Sequence, residues 1–373
     1  MKPTRPTVAE INLRAISENY QEIKHFVGKT VKVMAVVKAN AYGHGDLEVS
    51  QALTKEKVDY FGVAFPEEGA RLRQGGVKGP IHVFTLPVKA QARLFVDYSL
   101  EATVCSLNDV KVLAGVAGGN KKPIKVHVKV ETGMNRIGVR VQDLDGIIKA
   151  VGRERRLEIS GVFTHFATSE EPDSPFARRQ LNEFERAMRV FQRQGVEPEL
   201  VHCANSGAIL QIPESYFSMV RPGILLYGYY PARTMSQKVQ VRPAMTVKTS
   251  VAHVKEILAG ESVSYGRRFV AQRRTRIATL PIGYADGFPR TLTSKSHALI
   301  GGGKHPIAGT ICMDQLMVDV GNSQIDAGDE AVLMGEQAGQ RISAWDLADR
   351  IGTVPYEILC GISSRVPRTF VYS

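Results

Sequence analysis

Eight short apolar runs, spread through the first two-thirds of the chain, constrain its fold more than any other feature. They are Val33–Val37, Phe61–Phe65, Ile81–Thr85, Ala102–Cys105, Ile124–Val130, Ile159–His165, Leu200–Ala204 and Met219–Tyr227. Runs of this length with little charge read as strands buried on both faces, as in a parallel sheet. The segments between them have helical character, for example Pro66–Arg73 and Phe176–Gln194. In the second, Phe184, Met188 and Phe191 recur at helical spacing among Arg and Glu, an amphipathic pattern. Strands alternating with helices predict an α/β fold, a (β/α)8 barrel of the TIM type. A doubly wound open sheet is the competitor.

The texture changes near Gln240. Met245–Ile257, Thr275–Leu280, His297–Ile300, Met317–Val320 and Glu330–Met334 read as strands, punctuated by turns such as Gly301–Gly303. Only Ser343–Ile351 reads as a clear helix there. The expected organisation is a barrel domain over 1–239 and a mostly β C-terminal domain over 240–373, with residues 7–13 forming a strand that pairs with the latter.

Composition narrows the function classes. The chain has 373 residues, 43% apolar and 23% charged, with a net charge of +11. The basic clusters Arg153–Arg156 and Arg273–Arg276 are short and lack interleaved aromatics, so no nucleic-acid partner is expected. Cys105, Cys203, Cys312 and Cys360 are far apart and form no CxxC pair. They read as small core residues in a reducing compartment, and no metal is expected. Without a leader-like apolar segment or a run long enough to span a bilayer, the expected location is the cytoplasm, with no membrane partner.

In a barrel, chemistry gathers at the carboxyl ends of the strands. Lys38 and Tyr42 follow the first strand, Lys129 and Arg136 flank Glu131–Asn135 after the fifth, and His165 ends the sixth. Asn205-Ser206-Gly207 ends the seventh, and Arg221-Pro222-Gly223-Ile224 comes with the eighth. A lysine at a buried strand end is a candidate for Schiff-base chemistry, while Ser, Gly and exposed backbone N–H groups suit a phosphate. Together they suit pyridoxal 5'-phosphate (PLP). Lys125, His127 and Lys129 alternate along one strand, which turns a polar side toward the barrel interior.

The run Ala35–Gly45 resembles the PLP-attachment signature of alanine racemases. The likeness continues in order through Glu131–Gly138, Thr164–Ala167, Asn205-Ser206, Val220–Gly228, Val263–Gly266, Pro281–Gly287, Gly309–Asp314 and Val354–Glu357. It covers essentially the whole chain. The resemblance implies a PLP-dependent racemase that interconverts L- and D-alanine and supplies D-alanine for peptidoglycan. Lys38 would carry PLP and act as the base on the D-side, with Tyr265 the base on the L-side. Tyr42, Ser206, Gly223, Ile224 and Tyr356 would bind the phosphate. Arg221 would face the pyridine nitrogen, with His165 beside the ring. Arg136 and the backbone of Met313 would engage the alanine carboxylate. Some family members carry a carbamylated lysine at the position of Lys129, where it orients the arginine matching Arg136. The family also implies a homodimer whose active sites are shared between subunits.

Glu131 and Asn135 depart from the family pattern, in which Asp and Gly are expected. Two rivals use the same cofactor. A barrel-plus-β-domain amino-acid decarboxylase needs no tyrosine base, and a non-enzymatic PLP carrier lacks the β domain. The Tyr265 and Met313 motifs argue against both.

Overall fold

The computed structural model describes residues 4–118, 122–235 and 237–372. The chain divides into two compact units. Ile16–Ala41 and Asp46–Arg242 form one, with the masses of α and β structure alternating along it. The described residues of Met1–Ala15, Tyr42–Gly45 and Pro243–Ser373 form the other, which is rich in β structure.

Strand β1 (Val8–Asn12) belongs to the second unit. The next eight all belong to the first: β2 (Lys32–Val36), β3 (Tyr60–Val63), β4 (Ile81–Val83), β5 (Ala102–Val104), β6 (Ile124–Lys129), β7 (Leu157–Phe163), β8 (Leu200–His202) and β9 (Met219–Val220). They pair in parallel as two four-stranded sheets, β4-β3-β2-β9 and β5-β6-β7-β8. A parallel bridge between His82 and Glu101 joins β4 to the residue before β5. At the other seam Ser218 N donates to Val201 O at 3.1 Å and Arg221 N to Ala204 O at 2.9 Å. These two seams link the sheets into a ring, so the eight apolar runs form a closed barrel and not an open sheet.

Large side chains fill the barrel, and glycines make room for them. A side-chain carbon at Gly62 would lie 2.7 Å from the Phe84 ring, and one at Gly161 would lie 2.4 Å from His127 Nδ1. The register of β6 on β7 shifts between Val126 and His127, which brings Gly161 opposite His127. Helices surround the ring. In Pro175–Arg193 the buried stripe runs through Leu181, Phe184, Ala187, Val190 and Phe191. Met188 is only half-buried, so Ala187 takes the place expected for it. No helix among the described residues is long and apolar enough to cross a membrane.

The second unit continues with β10 (Met245–Ser250), β11 (His253–Ile257), β12 (Ser262–Val263), β13 (Phe269–Val270), β14 (Thr275–Leu280), β15 (His297–Ile300), β16 (Gly303–Pro306), β17 (Leu316–Gly321), β18 (Glu330–Gln337), β19 (Gln340–Ile342) and β20 (Arg368–Val371). Its main sheet runs β16-β15-β18-β10-β1-β20, with β1 antiparallel to β10 and parallel to β20. A second sheet runs β11-β14-β17. The single strand expected over Met245–Ile257 is therefore two strands in different sheets, broken at Val251-Ala252. A second helix, Pro355–Gly361, joins Ala344–Ile351, and its short length with a proline at the start hid it from helical periodicity. All four cysteines are free, but only Cys203 is buried. Cys105 and Cys312 are half-buried in loops and Cys360 is exposed, which corrects the expectation of four core residues.

Candidate active site

Lys38 follows β2, and Ala39, Asn40, Ala41 and Tyr42 after it have φ of 53°, 54°, 52° and 53°. This is a left-handed turn without glycine, at a cost of roughly 1–2 kcal/mol per residue. Such strain persists only where the surroundings over-determine it. Here Ala39 N donates to Glu68 Oε1 at 2.7 Å, Ala41 N to Val37 O at 2.9 Å, and Asp46 N to Asn40 Oδ1 at 3.0 Å. Glu68 also accepts from Ala64 N at 2.7 Å and Phe65 N at 3.1 Å, so one carboxylate ties the lysine's turn to the end of β3. Tyr227 OH donates to Val36 O at 2.9 Å and fastens the strand that carries Lys38. The half-buried Lys38 amine lies 6.0 Å from the centre of the Phe84 ring.

Further round the barrel mouth, Arg221 is only 3% exposed. Its Nη2 donates to Thr164 O at 2.7 Å and Cys203 O at 3.1 Å, and lies 3.3 Å from His165 Nδ1. Its Nη1 reaches His202 Nδ1 at 2.8 Å. A guanidinium only donates, so both imidazoles turn lone pairs toward it. Burial, then the charge of Arg221, hold His165 and His202 well below the ordinary histidine range, and both are neutral. Lys129 is buried at the end of β6, its amine 5.2 Å from the centre of the Phe163 ring. It donates to Val130 O at 3.2 Å and Thr164 Oγ1 at 3.4 Å. Desolvation, then Arg221, bring its pKa down to about 7. Arg136 is exposed on the loop after β6 and adds to the field that depresses both Lys129 and His165. The basic side chains of Lys38, Lys129, Arg136 and Arg221 thus gather around the uncharged His165, a setting that suits an anionic guest.

Ser206 supplies the hydroxyl of this mouth. It starts the short helix Ser206–Gln211, and its Oγ accepts from Gly223 N at 2.9 Å and Leu225 N at 3.4 Å. Ile224 lies buried between those two residues. A hydroxyl beside successive backbone N–H groups is the chemistry that takes a phosphate.

In the β-rich unit, Tyr42 packs on Tyr356 with ring centres 5.9 Å apart. Burial, then Tyr356 and Cys360, push the Tyr42 phenol up, so it remains protonated. Gly43 next to it has φ +83°, and a side-chain carbon there would lie 2.4 Å from Leu359 O. Only glycine lets this loop lie against the helix of Tyr356. Elsewhere in the unit, Tyr265 is 75% exposed yet rigidly mounted. Thr310 Oγ1 donates to Tyr265 O at 2.7 Å, while Ser264 Oγ donates to Thr310 O at 2.6 Å from a left-handed φ of 68°. Tyr265 and the exposed Met313 line one open hollow of about 630 Å³, together with Tyr284 and Arg290.

Residues 11–231 match the family model for the alanine racemase N-terminal domain, and residues 244–370 that for the alanine racemase C-terminal domain. The chain belongs to the alanine racemase family. It is 45% identical over 370 residues to alanine racemase 2 of Caldanaerobacter subterraneus subsp. tengcongensis, covering 99% of this chain and 95% of that one. The solved alanine racemase of Clostridium difficile 630 superposes with a TM-score of 0.94 at 37% identity, over 99% of this chain and 97% of that one. The alanine racemase of Bacillus anthracis with bound L-Ala-P does so with a TM-score of 0.94 at 34% identity, over 100% and 96%.

In this chain the barrel unit holds Lys38, Lys129, Arg136, His165, Ser206, Arg221, Gly223 and Ile224. The β-rich unit holds Tyr42, Tyr265, Met313 and Tyr356. Sequence reasoning missed Glu68, which holds the lysine's turn, and His202, which accepts from Arg221. His202 had a signal: it interrupts an apolar strand, as His82 and His127 interrupt theirs, and all three are fully buried. Lone polar residues inside buried strands mark a shared interior.

Proposed function

We propose that this protein interconverts L- and D-alanine with PLP on Lys38, by removing the Cα proton from one face and returning one to the other. The residues present fit that cofactor: an amine on a pinned turn, a hydroxyl beside backbone N–H groups, and a buried guanidinium. Lys38 would hold its aldehyde carbon. Ser206, Gly223, Ile224, Tyr42 and Tyr356 would take its phosphate, Arg221 its ring nitrogen, and His165 would lie beside the ring. PLP supplies the electron sink that acidifies the Cα–H bond.

Racemisation needs an acid/base group on each face of the substrate. Lys38 serves the D-side and Tyr265 the L-side. The guanidinium of Arg136 and the backbone at Met313 engage the carboxylate. Arg221 cannot accept a proton, so a protonated ring nitrogen is disfavoured beside it. Carbamylation of Lys129 would give Arg136 an anionic partner, and an amine brought down to about 7 has the free lone pair that carbon dioxide requires.

The rigid, exposed Tyr265 supports a homodimer in which the partner subunit's Tyr265 completes the site of Lys38. The proposed setting is the cytoplasm, with D-alanine supplied for peptidoglycan. The observation that carries this proposal is Lys38 on its pinned turn at the same barrel mouth as buried Arg221. Inactive Lys38→Ala and Tyr265→Phe homodimers, mixed and exchanged, should regain activity in heterodimers, which carry one intact site. Absence of recovery after proven exchange would refute the shared site. Borohydride reduction followed by peptide mass analysis should place the cofactor on Lys38, and attachment at any other residue would refute that assignment.

A further inference from the structure

Two histidines connect Arg221 to a carboxylate on the far side of the barrel interior. His202 Nδ1 lies 2.8 Å from Arg221 Nη1, and His202 Nε2 lies 2.8 Å from His127 Nδ1. His127 Nε2 lies 2.8 Å from Glu101 Oε2, while Tyr60 OH donates to Glu101 Oε1 at 3.4 Å. None of the four side chains from Arg221 to Glu101 belongs to a residue more than 6% exposed.

The proton positions follow from the two ends. Arg221 only donates, so His202 Nδ1 accepts and its single proton sits on Nε2. That proton points at His127 Nδ1, which must accept, leaving the His127 proton on Nε2 for the Glu101 carboxylate. The row is directional, from cation to anion through two neutral rings. The low proton affinity of His202, set by burial and then Arg221, agrees with this. The fold also makes space for it, because His127 occupies the room that a side chain on Gly161 would fill.

A buried guanidinium without a counter-charge is costly, and Glu101 is the carboxylate that this row reaches. An amide in its place could donate as well as accept. The row could then reverse and put a proton on His202 Nδ1, facing Arg221.

We infer that Glu101 is a positioning residue for the racemase reaction. By keeping the protons of His127 and His202 on Nε2, it presents a lone pair to Arg221 and fixes the guanidinium that addresses the cofactor ring. This rests on the proposed placement of Arg221 at that ring.

The test uses holoenzyme labelled with ¹⁵N-histidine, the variants Glu101→Gln and Glu101→Asp, and steady-state kinetics. Long-range ¹H–¹⁵N spectra of the parent should show His127 and His202 as neutral Nε2–H tautomers. Glu101→Gln should lose that uniform state and lower kcat at least about tenfold, with KM for alanine changed less than about twofold. Glu101→Asp keeps the charge and should retain the tautomers and most of kcat. An Nδ1–H or doubly protonated His202 in the parent would overturn the inference. So would a kcat loss in Glu101→Gln with unchanged tautomers, or changed tautomers with unchanged kcat. Should Glu101→Gln fail to fold, the parent tautomers and the kinetics of Glu101→Asp decide alone. The tautomer readout does not depend on the reaction, whereas a parent without racemase activity would refute the proposed function itself.

Discussion

The Glu68 carboxylate accepts the backbone N–H of Ala39 at 2.7 Å, and Ala39 is the first residue of the left-handed turn behind Lys38. Glu68 stands in the first turn of the helix Pro66–Gln74, where a carboxylate is already favoured, and uses its other oxygen on Ala64 and Phe65. Glu68→Ala should cost about 2 kcal/mol in a denaturant titration, because three backbone donors lose their acceptor. It should also slow cofactor uptake by the apoprotein, followed by absorbance. Glu68→Gln, which can still accept, should cost less. Equal losses for the two variants would show that the charge of Glu68, and not its capacity to accept, holds the turn.

Gly161 and His127 form a second dependent pair. A methyl group at 161 would sit 2.4 Å from the imidazole, so Gly161→Ala must displace a fully buried ring. Its expected cost is about 2–3 kcal/mol. His127→Ala opens that space, so the two substitutions together should be clearly less destabilising than the sum of the singles. Additive losses in thermal or denaturant unfolding would contradict the steric account.

Asn135 departs from the glycine expected in the family and has φ +52°, where asparagine is among the better-tolerated non-glycine residues. Asn135→Gly should therefore change stability by no more than about 1 kcal/mol, whereas a β-branched Asn135→Val should cost about 1–2 kcal/mol. Denaturant midpoints of the two variants provide the comparison.

Much of this was legible in the sequence because it is local. Each barrel strand announced itself as an apolar run, and Lys38 was conspicuous as a charge at the end of one. The turn after Lys38 was not legible. Ala39 and Ala41 do not favour left-handed backbone; bonds from Glu68 and between Asn40 and Asp46 hold the turn there. The link from Arg221 to Glu101 was equally hidden, since its members come from strands widely separated in sequence and meet only when the ring closes. In the β-rich unit, Val251-Ala252 carries no strong break signal, which is why β10 and β11 read as one strand.

Lys129 makes stability depend on pH. Its pKa is about 7 in the folded chain against an ordinary 10.5, so between these values the unfolded chain binds more protons. The penalty for burying the amine is full below about pH 7 and fades toward 10.5, so stability should rise across that window. In carbonate-free buffer at pH 7, apoprotein carrying Lys129→Met should exceed its parent by on the order of 3 kcal/mol, after loss of two hydrogen bonds. That advantage should shrink as pH rises. Adding ¹³C-bicarbonate should give the parent, and not Lys129→Met, a carbamate signal: the amine nitrogen bonds to carbon dioxide and releases a proton.

The central claim is that Lys38 and Tyr265 serve opposite faces of the substrate. Deuterium uptake at Cα from D₂O, followed from each alanine enantiomer, tests it most directly. In the parent enzyme both enantiomers should exchange and interconvert. In Tyr265→Phe, exchange from L-alanine should fall by about a hundredfold or more, while D-alanine continues to exchange through Lys38 without inversion. Undiminished exchange from L-alanine, or equal loss from both enantiomers, would contradict the two-base account.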